Sequence, residues 1–178
     1  MTDKKTFTRI PPARFENWDY AMNTAFFVTI CTKEREIFFG NILKGKMQFS
    51  EIGQLALDFL AEIPKRYTYL LIDEFIVMPN HIHAIVMFKE KGNKGAEKEE
   101  QVDQKSFQKK HKEMLTSIMG SYKSVVSKPA LAIYRKFAWQ TGIHEQIIRD
   151  NEAHERIANY IIKNPSAWRH DKFYKSND

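Results

Sequence analysis

The chain has 178 residues and a mass of 21.0 kDa, and its 43% of hydrophobic residues suffices for the core of one compact domain. No run of about 18 apolar residues occurs, which excludes a membrane-spanning helix, and Cys31 as sole cysteine excludes an intramolecular disulfide, a zinc ribbon and a CxxC redox pair. Lys and Arg number 28 against 22 Asp and Glu, giving a net charge of +6 and a pI near 9.3, and the opening MTDKKTFTRIPPARFENWDY has no apolar leader, so a cytoplasmic protein is expected.

Residues 1–23 read as an irregular arm, with Pro11-Pro12 and scattered aromatics. Thr24 to Thr32 (TAFFVTICT) is dense in β-branched and aromatic residues and predicts a buried strand. Breaks at Gly40 and Lys44-Gly45 then predict two short strands. Ser50 offers an N-cap for a helix with Ile52, Leu55, Phe59, Leu60 and Ile63 on one face, ending at Pro64. LLIDEFIVMPNHIHAIVMF follows, two β-rich runs around a Pro79-Asn80 turn. Residues 89–103 (KEKGNKGAEKEEQVD) cannot bury apolar area and read as a charged mobile loop within a single domain.

Leu115, Ile118, Met119, Tyr122, Val125 and Val126 fall at helical spacing, with Lys128-Pro129 ending the pattern. KFAWQTGIHEQIIRD predicts an extended segment, and a last helix starts at Asp150 or Asn151 and closes at Asn164 before Pro165. A tail follows, 169–178, in which no signal is readable. Strands separated by helices, with hairpins present, predict an α+β domain on a mainly antiparallel sheet.

The positive charge is concentrated. Between Gln104 and Ala138 stand Lys105, Lys109, Lys110, Lys112, Lys123, Lys128, Arg135 and Lys136, opposed by Glu113 alone, a net of +7 in a chain of +6. Such a cluster suits a polyanion such as nucleic acid; a solvated Lys-rich helix face is the other reading. Tyr122, Tyr134 and Phe137 stand among these cations as base-stacking candidates or as core aromatics.

Chemistry enters with His81-Ile82-His83 on the second strand of the Pro79-Asn80 hairpin. A strand has a side-chain period of two, so both imidazoles leave one face and can grip one cation. Tyr160 and Asn164, at i and i+4 on the last helix, share a face. Delivered to the histidines, Asn164 completes a three-ligand site and Tyr160 brings a phenol beside the metal. From spacing alone the favoured reading is Tyr160 as a core aromatic and Asn164 as a helix terminator before proline.

MPNHIHAIV, with FFVTICT upstream and WQ, IIRD, YIIKNP and Trp168 downstream, resembles the single-tyrosine HUH transposases, nearest to their REP-associated branch, over Phe26 to Trp168. The resemblance implies a ferredoxin-like or RRM-like α+β core with helices packed on one face of the sheet, metal ligands at His81, His83 and Asn164, Tyr160 as nucleophile, and Mg²⁺ or Mn²⁺ as cofactor. It further implies a nuclease and strand transferase acting on single-stranded or hairpin DNA through a 5′-phosphotyrosine, with a homodimer as one assembly. Many relatives have a second tyrosine near His154, which here lies on a different helical face from Tyr160. Lys105, Lys109, Lys110, Lys112, Lys123, Arg135, Lys136 and Arg149 are the candidate DNA contacts. A catalytically silent protein that binds structured single strands is the alternative.

Overall fold

The computed structural model describes residues 24–89 and 104–175. The arm expected at 1–23 lies outside the described residues, as does nearly all of the loop expected at 89–103.

The elements run β1 (Thr24–Cys31), β2 (Gly40–Leu43), β3 (Lys46–Phe49), α1 (Glu51–Arg66), β4 (Leu70–Val77), β5 (His81–Phe88), α2 (Gln104–Ile133), β6 (His144–Ile148) and α3 (Asn151–Lys163), with a single 3₁₀ turn after β1 and another at Trp168–His170. Four strands form one sheet in the order β4-β5-β1-β6, every neighbouring pair antiparallel, and β2 and β3 form a separate hairpin. Without that inserted hairpin, β1-α1-β4-β5-α2-β6 with two central strands β5 and β1 is the ferredoxin-like arrangement. The α+β, mainly antiparallel class expected from the sequence is therefore what the chain adopts.

Strand alternation separates two cores. Phe26, Val28 and Ile30 on β1 and Ile82, Ala84, Val86 and Phe88 on β5 face α1 and α2, joining Leu57, Leu60, Leu115 and Met119. The opposite face carries Ala25, Ile85 and Met87, covered by Ile157 and Ile161 of α3. Two helices thus share one face and α3 takes the other. Every residue of β5 is buried because both its faces are covered, which is why HIHAIVMF shows no apolar–polar alternation.

Helix boundaries follow capping chemistry where a cap exists. Ser50 Oγ accepts from Gly53 N–H at 3.0 Å and opens α1; Asp150 Oδ1 accepts from Ala153 N–H at 2.7 Å and opens α3. The two expected proline stops are corrected. Pro64 and Pro129 both lie inside helices, which continue to Arg66 and Ile133. Each ring removes one helical N–H, but burial of Leu60 and Ile63 around the first, and of Val126 and Ala130 around the second, holds the backbone helical past it. Among the described residues no helix is long and apolar enough to cross a membrane.

Candidate metal and nucleophile centre

Register puts the histidines on the α3 side of the sheet. His81 lies opposite Cys31 and His83 opposite Thr29 on β1. Both imidazoles are fully buried, their ring centroids 4.5 Å apart. Each is oriented by a polar neighbour. Asn80 Nδ2 donates to the carbonyls of Arg35 (3.0 Å) and Phe173 (2.8 Å), so its Oδ1 is the acceptor facing His81 Nδ1 at 3.0 Å. His81 therefore carries its proton on Nδ1 and presents the lone pair of Nε2. That Nε2 is buried and has no hydrogen-bond partner. Thr29 Oγ1 lies 2.9 Å from His83 Nδ1, leaving His83 Nε2 toward the site.

α3 reaches this pair because Ala153, Ile157 and Ile161 recur at i, i+4, i+8 and pack on the sheet. One turn round, Tyr160 Oη stands 3.4 Å from His83 Nε2, its ring 39% exposed and edge-on to Phe27. Asn164, capping α3, is buried, and its Oδ1 also lacks a partner. At the start of α3, His154 Nε2 comes within 2.8 Å of buried Asp73 Oδ2 on β4, away from the centre.

One residue of the centre is not among those expected from the sequence. Asp171, just past the second 3₁₀ turn, accepts from Asn164 Nδ2 at 2.9 Å and from Tyr160 Oη at 3.3 Å through Oδ2, while its Oδ1 accepts Phe173 N–H at 2.7 Å. Ligand atoms of His81, His83 and Asp171 all lie within 4.8 Å of one another. Phe173 seals the far side, its ring 4.5 Å from His81 and 5.8 Å from His83. No helical or strand period links Asp171 to Asn164, so its being a carboxylate close after YIIKNP-x-x-W is the one sequence signal for it.

The centre is electrostatically set for a cation. Burial pushes the His81 imidazole well below its usual value, and the charges of His83, Arg35 and Lys172 push it further. Burial brings His83 down to about 4 against the opposing pull of Asp171. Both are neutral ligands at pH 7. The Tyr160 phenol is pushed up to about 12, by burial first and by Asp171 second, so its proton stays on without a positive charge nearby. Two orphaned lone pairs, on His81 Nε2 and Asn164 Oδ1, beside a carboxylate and a second imidazole, fit one divalent ion; such a nitrogen and oxygen set is compatible with Mg²⁺ or Mn²⁺.

The basic segment lies elsewhere. α2 packs on the opposite face of the sheet from the histidines. Lys105, Lys109 and Lys110 are solvent-facing on it, and Arg135, Lys136 and Arg149 are exposed further along. Lys112 instead pairs with Glu145 at 2.6 Å, and Lys123 Nζ donates to the carbonyls of Gln140 (2.6 Å) and Gly142 (2.9 Å). Tyr122 and Phe137 are core residues, Tyr122 Oη donating to Ala56 O, whereas Tyr134 is exposed.

No protein-family profile matches the chain. It is 32% identical over 164 residues to an uncharacterized protein of Haemophilus influenzae, a match covering 90% of this chain and 91% of that protein. Among solved structures it is similar to a REP-associated tyrosine transposase bound to a REP hairpin (17% identity, TM-score 0.50, covering 86% of this chain and 72% of that one). It is also similar to a candidate transposase from Deinococcus radiodurans R1 (13% identity, TM-score 0.44, covering 84% and 95%). The chain therefore belongs to one family with the Haemophilus influenzae protein, and it shares the fold of the REP-associated tyrosine transposase structure.

Proposed function

We propose that this protein is a transposase-type nuclease and strand transferase that cuts single-stranded, hairpin-containing DNA through a 5′-phosphotyrosine at Tyr160. The observation that carries the reading is the phenol oxygen 3.4 Å from a buried imidazole whose neighbour, His81, offers an unshared lone pair to the same space. That phenol is partly exposed and stands at the one His/His/Asp cluster found among the described residues.

His81, His83, Asp171 and Asn164 Oδ1 would hold Mg²⁺ or Mn²⁺, which when bound polarises the scissile phosphate and offsets the charge of the phenolate. The Tyr160 hydroxyl, oriented by its hydrogen bond to Asp171 Oδ2, loses its proton to water as it attacks. The Tyr160 oxygen then bonds to phosphorus, the bond from phosphorus to the 3′-oxygen breaks, and that oxygen leaves as a 3′-hydroxyl after protonation from water. A 3′-hydroxyl attacking the phosphotyrosine reverses these bonds and rejoins DNA, so no nucleotide triphosphate is consumed. Tyr160 lies 3.4 Å from the His83 of its own chain, which supports attack in cis. The hairpin bound by the structurally similar REP-associated transposase supports the substrate class. A cytoplasmic setting, with a free buried cysteine and access to DNA, suits the reading.

The test is adduct formation on denaturing gels, with hairpin oligonucleotides carrying single-stranded flanks, in Mn²⁺. The wild-type chain is expected to become covalently linked, and Tyr160→Phe or addition of EDTA to abolish the link. An adduct persisting in Tyr160→Phe would remove Tyr160 as nucleophile. Salt-sensitive binding of the hairpin with no adduct under any divalent ion would instead support the binding-only alternative.

A further inference from the structure

Lys172 and Arg35 both lie near the centre and are not used by the reaction above; Arg35 is the one whose backbone is held there by Asn80. It sits in the turn after β1, where Glu34 (φ 54°) and Arg35 (φ 58°) are both left-handed, a conformation side chains other than glycine rarely hold without reason. Its guanidinium lies flat on Phe173, Cζ 3.8 Å from the ring centroid, and its Nη1 is buried with no hydrogen-bond partner. Its backbone is tied to the centre by Asn80, which binds the Arg35 carbonyl and His81 Nδ1 with the same amide.

The rings and charges follow one another in a row across the site. Tyr160 meets His83, with ring centroids 5.3 Å apart. His83 meets His81, His81 meets Phe173, and Phe173 meets Arg35. Tyr160 thus meets the imidazole pair directly, at His83, and Arg35 meets it through Phe173, whose ring lies 4.5 Å from His81 and 5.8 Å from His83. Displacement at phosphorus places the attacking and leaving oxygens roughly in line. With Tyr160 attacking beside His83, a departing strand that runs over Phe173 meets Arg35. A planar, permanently charged fork is well suited to grip a phosphodiester there.

We infer that Arg35 binds a phosphate of the leaving strand, one nucleotide from the cut, and so keeps the 3′-hydroxyl within reach for rejoining. The inference rests on the nuclease reading of the site. Arg35 makes no bond to the reacting atoms; it holds the strand.

The experiment begins with a hairpin pool whose single-stranded flanks are randomised. Members that link covalently to the wild-type chain in Mn²⁺ are recovered and supply one substrate sequence. Binding of that oligonucleotide is then measured by fluorescence anisotropy in a Tyr160→Phe background, with Arg35 or Arg35→Gln, and with either normal DNA or a methylphosphonate replacing the phosphate 5′ to the scissile one. Arg35→Gln is expected to weaken binding of normal DNA by about tenfold or more, the range of a hydrogen bond to a charged group. The methylphosphonate is expected to weaken binding to the Arg35 protein by a similar factor and to cause little further loss with Arg35→Gln. Equal methylphosphonate penalties in the two proteins would overturn the inference, as would unchanged affinity on Arg35→Gln. Thermal denaturation and Mn²⁺ titration by electron paramagnetic resonance report whether Arg35→Gln leaves the fold and the metal site intact. If Arg35→Gln does not fold, Arg35→Lys serves in the same comparison, with a smaller loss expected. If no pool member links to the wild-type chain, the nuclease reading itself fails and the inference with it; if members link but the penalties are equal, only the role of Arg35 fails.

Discussion

At the centre, protonation is governed by what each ring is denied. His81 and His83 lie where water does not reach, and His83 is held down to about 4. An imidazole in the unfolded chain takes a proton near pH 6.5. Above that value neither state is protonated and these groups leave stability unchanged. Between pH 6.5 and about 4 the unfolded chain binds protons that the folded one refuses, so stability falls as pH falls. For His83 the difference between the folded and unfolded chain corresponds to about 3 kcal/mol at the acid end of that window. Urea midpoints measured in EDTA should be flat above pH 7 and drop below pH 6.5, and His83→Gln should reduce the slope. A midpoint that held steady down to pH 4.5 would contradict neutral, buried imidazoles.

Most of the centre is legible in the sequence at this scale and one member is not. His81 with His83, and Tyr160 with Asn164, are pairs whose partners are fixed by the periods of strand and helix, so spacing alone brings each pair to one face. That the two pairs meet is a tertiary fact, which the family resemblance implies and spacing does not. Asp171 is placed by a helix cap, a 3₁₀ turn and an Asx turn in succession, and no period runs through them.

Among the three helices, α3 has the narrowest hold on the molecule. It has 13 residues, a single buried side chain in Ile161, a short apolar stripe around it, and the approach of His154 to Asp73. Its N-cap is accordingly a large part of what fixes it. Asp150→Ala should cost about 1 kcal/mol and lower the melting temperature by about 2–4 °C. Adduct formation should slow as well, because the phenol is displaced from His83. Loss of stability with an unchanged adduct rate would mean that the first turn of α3 does not set the position of Tyr160. α1 and α2 show the opposite balance. The local rule that proline ends a helix is overridden there, since Pro64 and Pro129 lie in helices held by a buried stripe on either side of the ring. A tertiary stripe of that kind is invisible to a rule that weighs only a proline and its neighbours.

Across the whole molecule the sheet separates the His/Tyr centre from the exposed lysines of α2. The centre opens on the α3 side, while Lys105, Lys109 and Lys110 project from α2 on the other, beside the edge strand β6. A DNA hairpin that touches both must pass round that edge, with the lysines gripping backbone far from the cut. Replacing all three by Gln should weaken hairpin binding and flatten its salt dependence by roughly 0.9 in log–log slope for each phosphate left without its lysine. The adduct rate at saturating DNA should not change. A lower rate at saturation would place these lysines in the reacting geometry and argue against two separate regions. Lys112 and Lys123 are poor choices for this experiment, because an ion pair and two carbonyls already hold them.

The unequal cover on the sheet has a dynamic consequence. One face is sealed by helices of 16 and 30 residues, the other by α3 and the short run after it. Amide exchange should therefore separate into two classes. β1 and β5 should exchange only when the whole chain unfolds, and α3 should exchange through a smaller opening of its own. In that opened form the histidines stay in their strand while Tyr160 and Asn164 leave them, so the expected opening would separate the two halves of the centre without unfolding the sheet.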